Sequence, residues 1–163
     1  MIKLLRVDDR LIHGQVAVVW TAFLHADTIV VANDKAAGDA FTSMALNLAK
    51  PPGVALNIVS IVDAVKFCTD AANEAKKIFV VVESTDDALA IVQGVGNITK
   101  CILGGMRKSG DKVLIDRQVF VDGKDIENCK AMVALGCEVS VHIVPQEKVV
   151  SLQDTERIYN RAK

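Results

Sequence analysis

The chain reads as an α/β domain with three layers: a mainly parallel twisted sheet of six or seven strands with helices on both faces. Three observations predict this. Short runs rich in Val and Ile recur without polar alternation, as strands buried on both faces do. Segments of helical spacing lie between those runs, and Gly or Pro punctuates most of the joints.

Taken in order, Ile2 to Val7 is the first strand, and Val16, Val19, Trp20 and Phe23 recur at helical spacing behind it, so a helix is expected over Gln15 to His25. Thr28 to Ala32 is the second strand, followed by a helix over Asp39 to Lys50 that Pro51-Pro52-Gly53 stops. Val54 to Val59 leads into a helix over Ile61 to Asp70. Ile78 to Val82 leads into one over Asp86 to Gly94, with Ser84-Thr85-Asp86-Asp87 supplying N-cap chemistry and Gly94 and Gly96 closing it. Lys100 to Leu103 and Val113 to Phe120 are the next strands. Asp122 to Asp125 caps a helix over Ile126 to Leu135, Gly136 ends it, and Glu138 to Val144 is the seventh strand. After Pro145 the tail to Lys163 reads as helical.

One segment breaks the alternation. Gly104-Gly105-Met106-Arg107-Lys108-Ser109-Gly110 is a glycine-punctuated basic loop followed by a strand, which predicts an irregular or antiparallel excursion. It is either a turn that needs unusual backbone angles or a loop whose amides and Arg107 face an anion.

With 163 residues the chain suits one domain, 1–163, able to bury roughly 70% of its unfolded surface. The balance of 19 basic and 20 acidic residues, with no basic run and only five Phe, one Tyr and one Trp, excludes a nucleic-acid footprint. No apolar stretch approaches the roughly 20 residues of a membrane span, and Met1-Ile2-Lys3-Leu4-Leu5 does not resemble a secretory leader. Cys68, Cys101, Cys129 and Cys137 lack the spacing of a zinc or redox motif, so they read as ordinary thiols of a reducing compartment.

Chemistry concentrates in Arg6-Val7-Asp8-Asp9-Arg10-Leu11-Ile12-His13-Gly14-Gln15-Val16, at the turn from the first strand into the first helix. Open α/β sheets bind ligands at the carboxyl ends of their strands. His13 is the one histidine with a charged neighbourhood; His25 closes a helix, and His142 lies in a Val-rich strand where a satisfied polar group is the default. An imidazole is substantially neutral at cytoplasmic pH and presents a nucleophilic nitrogen without a separate base, so His13 suits acceptance and release of a phosphoryl group. The amides around Gly14 and Gln15 at the helix start would face that phosphate. Arg10 offers a planar fork for its oxygens, and Arg6 is a weaker candidate for the same task. Asp8 or Asp9 either orients the imidazole or holds an arginine, and capping of the loop is equally open to them.

The Arg6 to Val16 segment resembles the active-site signature of the IIB component of the mannose/fructose/sorbose family of the bacterial phosphoenolpyruvate-dependent sugar phosphotransferase system. The likeness extends through Val31-Ala32-Asn33-Asp34, the segment from Met44 to Gly53, Leu103-Gly104-Gly105-Met106-Arg107 and Val144-Pro145. It implies a protein-Nπ-phosphohistidine–sugar phosphotransferase in which His13 takes phosphate from a phosphorylated IIA protein. The phosphate then passes to a sugar entering through membrane components IIC and IID. The resemblance also implies that Arg10 and Arg6 surround the phosphohistidine, with Asp8 orienting it and Asn33-Asp34 on a neighbouring loop. No metal or organic cofactor is implied. The expected place is the cytoplasm, at the inner face of the membrane through the transport partners; a homo-oligomer stays open. Arg6, Arg10 and Arg107 are the expected basic rim around His13.

Two rivals weigh less. A receiver domain needs a phosphoacceptor Asp after its third strand, where this chain has Ser60-Ile61, and a dinucleotide enzyme needs a Gly-x-Gly-x-x-Gly turn that is absent. A noncatalytic adaptor on the same fold remains a third reading.

Overall fold

The computed structural model describes residues 1–163. Its first strand, β1 (Ile2–Asp8), is buried from Leu4 onward and becomes the centre of the molecule. Around it lie α1 (Gly14–Leu24), β2 (Thr28–Ala32), the short α2 (Asp34–Ala37), α3 (Ala40–Leu48), β3 (Ala55–Val59), α4 (Ile61–Thr69), β4 (Ile78–Val82), α5 (Thr85–Val95) and β5 (Lys100–Gly105). Next come β6 (Val113–Asp116), β7 (Val119–Val121), α6 (Gly123–Ala134), β8 (Glu138–Val141), β9 (Val150–Ser151) and α7 (Leu152–Arg161).

The main sheet has seven strands in the order β3-β2-β4-β1-β5-β8-β9, parallel except for the β8–β9 pair. The expected three-layer α/β architecture is therefore the observed one. Strands β2 and β4 are apolar almost throughout because helices cover both faces, and each fully buried Val, Ile or Phe there contributes roughly 1.5–3 kcal/mol. On one face 26 buried residues gather beneath α4, α5 and α6, including Ala64, Ile91 and Met132. On the other a smaller set of 13, centred on Trp20, Ile29 and Phe79, lies beneath α1, α2 and α3. Since α1 packs on one face and α5 on the other, the connections that follow β1 and β4 leave the sheet toward opposite faces, the arrangement at which open α/β sheets bind ligands.

Three expectations change. The run from Val113 to Phe120 is a hairpin outside the main sheet: β6 and β7 pair antiparallel, with Arg117 and Gln118 at the turn. That hairpin docks on the end of β5 through Met106, whose N–H donates to the Gln118 carbonyl and whose carbonyl accepts from Phe120. Its place in the sheet is taken by β9, because Val150 pairs with Val141 before Ser151 caps α7. The tail is thus strand, then helix, and α7 begins at Leu152 rather than after Pro145. Finally, α2 and a 3₁₀ turn at Ala71–Asn73 are too short to leave a periodic signal.

The capping signals are used as expected, with one addition. Ser84 accepts from Asp87 N–H, and Asp122 and Asp125 form a reciprocal capping box at the start of α6. Beyond this local role, Asp125 accepts from the buried Thr85 hydroxyl at 2.7 Å, and Asn128 donates to Thr85 and Asp86. Lys112 closes the group on Asp125 at 3.0 Å, so α5, α6 and the loop before β6 are tied by one polar knot. Thr85→Val keeps the volume but strands the Asp125 and Asn128 groups. It should cost about 1–3 kcal/mol in urea unfolding with an unchanged denaturant slope.

Candidate active site

At the carboxyl end of the central strand, the sheet buries a carboxylate. Asp8 is 0% exposed, and Arg6, two residues earlier and therefore on the same face of β1, is 1% exposed. The guanidinium donates to Asp8 Oδ2 from Nη2 at 3.2 Å and, more weakly, from Nε at 3.4 Å, while Nη1 donates to the carbonyls of His142 and Ile143 at 3.3 and 3.0 Å. The expected role of Arg6 as a phosphate ligand or basic rim residue is corrected by this placement: its donors point into the protein.

Two glycines make the burial possible. A Cβ on Gly104 would fall inside the Arg6 guanidinium, and one on Gly105 would lie 2.9 Å from Asp8 Oδ1. Both glycines belong to β5, beside β1, and both are buried. Their place is thus decided by close approach to the Arg6–Asp8 pair, whereas the loop proper starts at Met106.

Beyond Asp8 the chain turns sharply. Leu11 N–H donates to the Asp8 carbonyl, and Leu11 adopts φ 60°, a left-handed conformation that costs a non-glycine residue about 1–2 kcal/mol. Leu11 and Ile12 offset that cost by entering the core with Trp20 and Phe79. His13 then sits at the N-cap of α1 with no side-chain cap bond, and Gly14 and Gln15 follow it, exposed. The first-turn amides receive no side-chain cap and the turn carries no acidic residue, a geometry that favours an anion.

The His13 ring is drawn back over the loop, Nε2 at 2.8 Å from Asp8 Oδ2, with 18% of its side chain exposed. Burial alone would raise the Asp8 carboxyl. The hydrogen bond from His13, the Arg6 charge and the Arg10 N–H at 3.0 Å outweigh it, and the group is held below its ordinary range. An ionised Asp8 only accepts, so Nε2 is the donor, and in the neutral form of the ring Nδ1 holds the lone pair. Of the two aspartates, Asp8 is the one on the imidazole.

Asp9 has a different task. Its Oδ2 accepts Arg107 N–H at 2.7 Å and Arg107 Nε at 3.1 Å, fastening the loop after β5 to the loop after β1. Arg107 is thereby brought beside the site through Asp9, with 72% of its side chain in solvent. The Arg10 side chain is also exposed, and an open cleft of about 510 Å³ beside it is lined by Asp9, Leu11, Asn33, Lys35 and Glu83. Asn33 serves locally, capping α2 and donating to Glu83 at 2.9 Å, while Asp34 accepts from Ile61 N–H.

Outside the loop, His25 ends α1 in a left-handed conformation, as a helix-end residue. His142 departs from expectation: it is buried one residue past β8, edge-on to Trp20 at 4.9 Å, and its Nε2 has no partner. Burial pushes the Cys129 thiol up to about 12 and those of Cys137 and the half-buried Cys68 up to about 11, which disfavours the reactive thiolate in all three. The participation of Trp20, which donates to the same Ile143 carbonyl as Arg6, was missed from the sequence. Its helical spacing reported only that it faces inward.

Comparisons with known proteins give the chain its family. Residues 2–162 match the profile of the PTS system sorbose subfamily IIB component. A probable phosphotransferase enzyme IIB component of Streptococcus pyogenes serotype M6 is 39% identical over 158 residues, covering 93% of this chain and 97% of that protein. The mannose-specific EIIAB component of Escherichia coli K12 is 32% identical over 154 residues, covering 94% of this chain and 48% of that polypeptide, so the chain spans about half of this longer relative. The crystal structure of the IIBSor domain of the sorbose permease from Klebsiella pneumoniae superposes with a TM-score of 0.90 at 30% identity, over 96% of each chain. The buried Arg6–Asp8 pair and its histidine therefore stand in a protein of known lineage: the chain belongs to the sorbose subfamily of IIB components of the sugar phosphotransferase system.

Proposed function

We propose that His13 accepts a phosphoryl group on Nδ1 from a phosphohistidine of a IIA protein and passes it to a sugar presented by IIC and IID membrane components. One observation carries this reading: Asp8 engages Nε2, which leaves the Nδ1 lone pair free at the start of α1. In the first step the lone pair attacks phosphorus while the donor's N–P bond breaks and its electrons return to the donor imidazole. In the second a sugar hydroxyl oxygen attacks, the Nδ1–P bond returns its electrons to His13, and the hydroxyl proton leaves to solvent.

Both transfers call for charge stabilisation rather than redox or covalent chemistry from other side chains. Arg10, exposed and without an internal partner for its guanidinium, is free to meet the equatorial oxygens. The exposed amides of Gly14 and Gln15 supply further donors. Arg107 forms the outer part of the basic rim. The EIIAB name of the mannose relative joins an A and a B part in one polypeptide, which supports direct transfer between them.

No helix here is long and apolar enough to cross a membrane. The protein then works at the inner membrane face through its partners. Relatives named for mannose and sorbose match at similar identity, so sugar choice is assigned to the membrane components. The receiver reading loses its footing because β3 is the outer edge strand and its end is occupied by Ser60, the N-cap of α4.

His13→Ala should abolish acid-labile labelling by phosphorylated IIA while leaving the circular dichroism spectrum and melting cooperativity unchanged; labelling that persists would remove the proposal. Arg10→Lys keeps the charge and loses the planar fork, so transfer to sugar should fall about tenfold or more with folding stability within about 0.5 kcal/mol. Full transfer by this variant would make Arg10 a spectator. Acid provides a third check. Because the folded Asp8 carboxyl lies below its unfolded value near 3.9, its contribution to stability is present above about pH 4 and is lost as pH falls through the lower folded value. The gap in unfolding free energy between the wild type and Asp8→Asn should therefore narrow from neutral pH to about pH 3, as measured by urea titration at each pH.

A further inference from the structure

We propose that Arg6 is a positioning residue for phosphoryl transfer, acting through Asp8 on the His13 ring, and that Gly104-Gly105 is the slot that lets it do so. This rests on the reading of His13 as phosphoacceptor, and it gives Arg6 a role other than that of a phosphate ligand.

The geometry leaves Arg6 no route to the phosphoryl group. Its guanidinium is enclosed by β1, by Gly104, by the His142 and Ile143 carbonyls, and by Trp20, whose ring centroid lies 5.9 Å from the guanidinium carbon. It reaches the active site only at Asp8 Oδ2, the same oxygen that meets His13 Nε2. Arg6, Asp8 and His13 thus form a chain of two charge-assisted contacts, anchored at one end in the core and open at the other.

Such an anchor performs two tasks. It holds the carboxylate in one rotamer, because Oδ2 is gripped by Arg6 while Oδ1 accepts the Arg10 N–H. That directs the imidazole so that Nδ1 faces out. The cation also shares the charge of Asp8. When phosphorylation on Nδ1 leaves Nε2 protonated and the ring cationic, Asp8 faces two cations, and neither monopolises it. Asp8 without Arg6 would hold the phosphorylated ring more tightly and slow the second transfer.

The orphan Nε2 of His142 fits the same account. The segment after β8 is placed by what its main chain must do: the His142 and Ile143 carbonyls receive Arg6, and Ile143 also receives Trp20. The His142 side chain is left to pack edge-on to Trp20.

The test combines Arg6→Lys with ¹⁵N NMR of the His13 ring and with transfer kinetics. In the unaltered protein the neutral ring should be predominantly the Nε2–H tautomer. In Arg6→Lys, which retains charge but loses the fork, Nδ1–H should rise to a comparable population, and kcat for transfer should fall at least tenfold with the KM for phosphorylated IIA little changed. A folded variant with wild-type tautomer ratio and kcat would overturn the proposal. Should Arg6→Lys fail to melt cooperatively, the unaltered chain supplies the second measurement. Phosphorylation of His13 should shift the Arg6 Nε–H resonance, and a resonance that does not move overturns the proposal equally. If IIA never labels wild-type His13, it is the phosphoacceptor reading that fails, while the tautomer measurement still judges the Arg6–Asp8–His13 chain.

Discussion

A carboxylate buried at the end of the central strand must be compensated, and much of the molecule is arranged around that requirement. Asp8 is fully enclosed, so Arg6 is enclosed with it; leaving either without its partner would cost on the order of 3–5 kcal/mol. The guanidinium in turn needs acceptors for its remaining donors and room for its plane. The carbonyls after β8 are the acceptors, and the absence of a side chain on Gly104 is the room. Strands β1, β5 and β8, adjacent in the sheet, are thereby linked by one buried charge as well as by their ladders.

The loop that carries His13 is irregular in conformation yet well anchored. Leu11 accepts an unfavourable backbone conformation because its side chain and that of Ile12 enter the core under α1. The result is a short connection whose apolar members look inward and whose polar members, Arg10, His13, Gly14 and Gln15, sit at or near the surface. Asp9 extends the arrangement sideways by holding Arg107. The proposed phosphoryl transfer would depend on such rigid placement, since His13 would have to meet phosphorus in line while fixed donors hold the oxygens.

Much was legible in the residues. The β-α alternation was written in Val- and Ile-rich runs and their Gly and Pro stops, because burial on both faces of a parallel sheet dictates composition locally. The capping residues Ser84 and Asp122 were legible for the same reason: a cap is a contact over three residues. Where the reading missed, the deciding contact was distant. Val113 to Phe120 has strand composition throughout, and only its docking on Met106 makes it a hairpin; β9 is two residues long and exists because Val141 is beside it.

The sequence by itself determined the layered fold and the place of the charged loop that carries His13, because periodicity, capping and the chemistry of neighbouring side chains are properties of short stretches. The division of labour among the charges was decided by tertiary structure. Nothing near Arg6 in the chain announces that it turns inward, since the carbonyls that receive it lie 136 and 137 residues away. The same holds for Gly104 and Gly105, whose spacing suggests a turn and whose actual constraint is the guanidinium and carboxylate of another strand. A buried ion pair is compensated by whatever the fold brings around it, and that surrounding exists only once β1, β5 and β8 lie side by side.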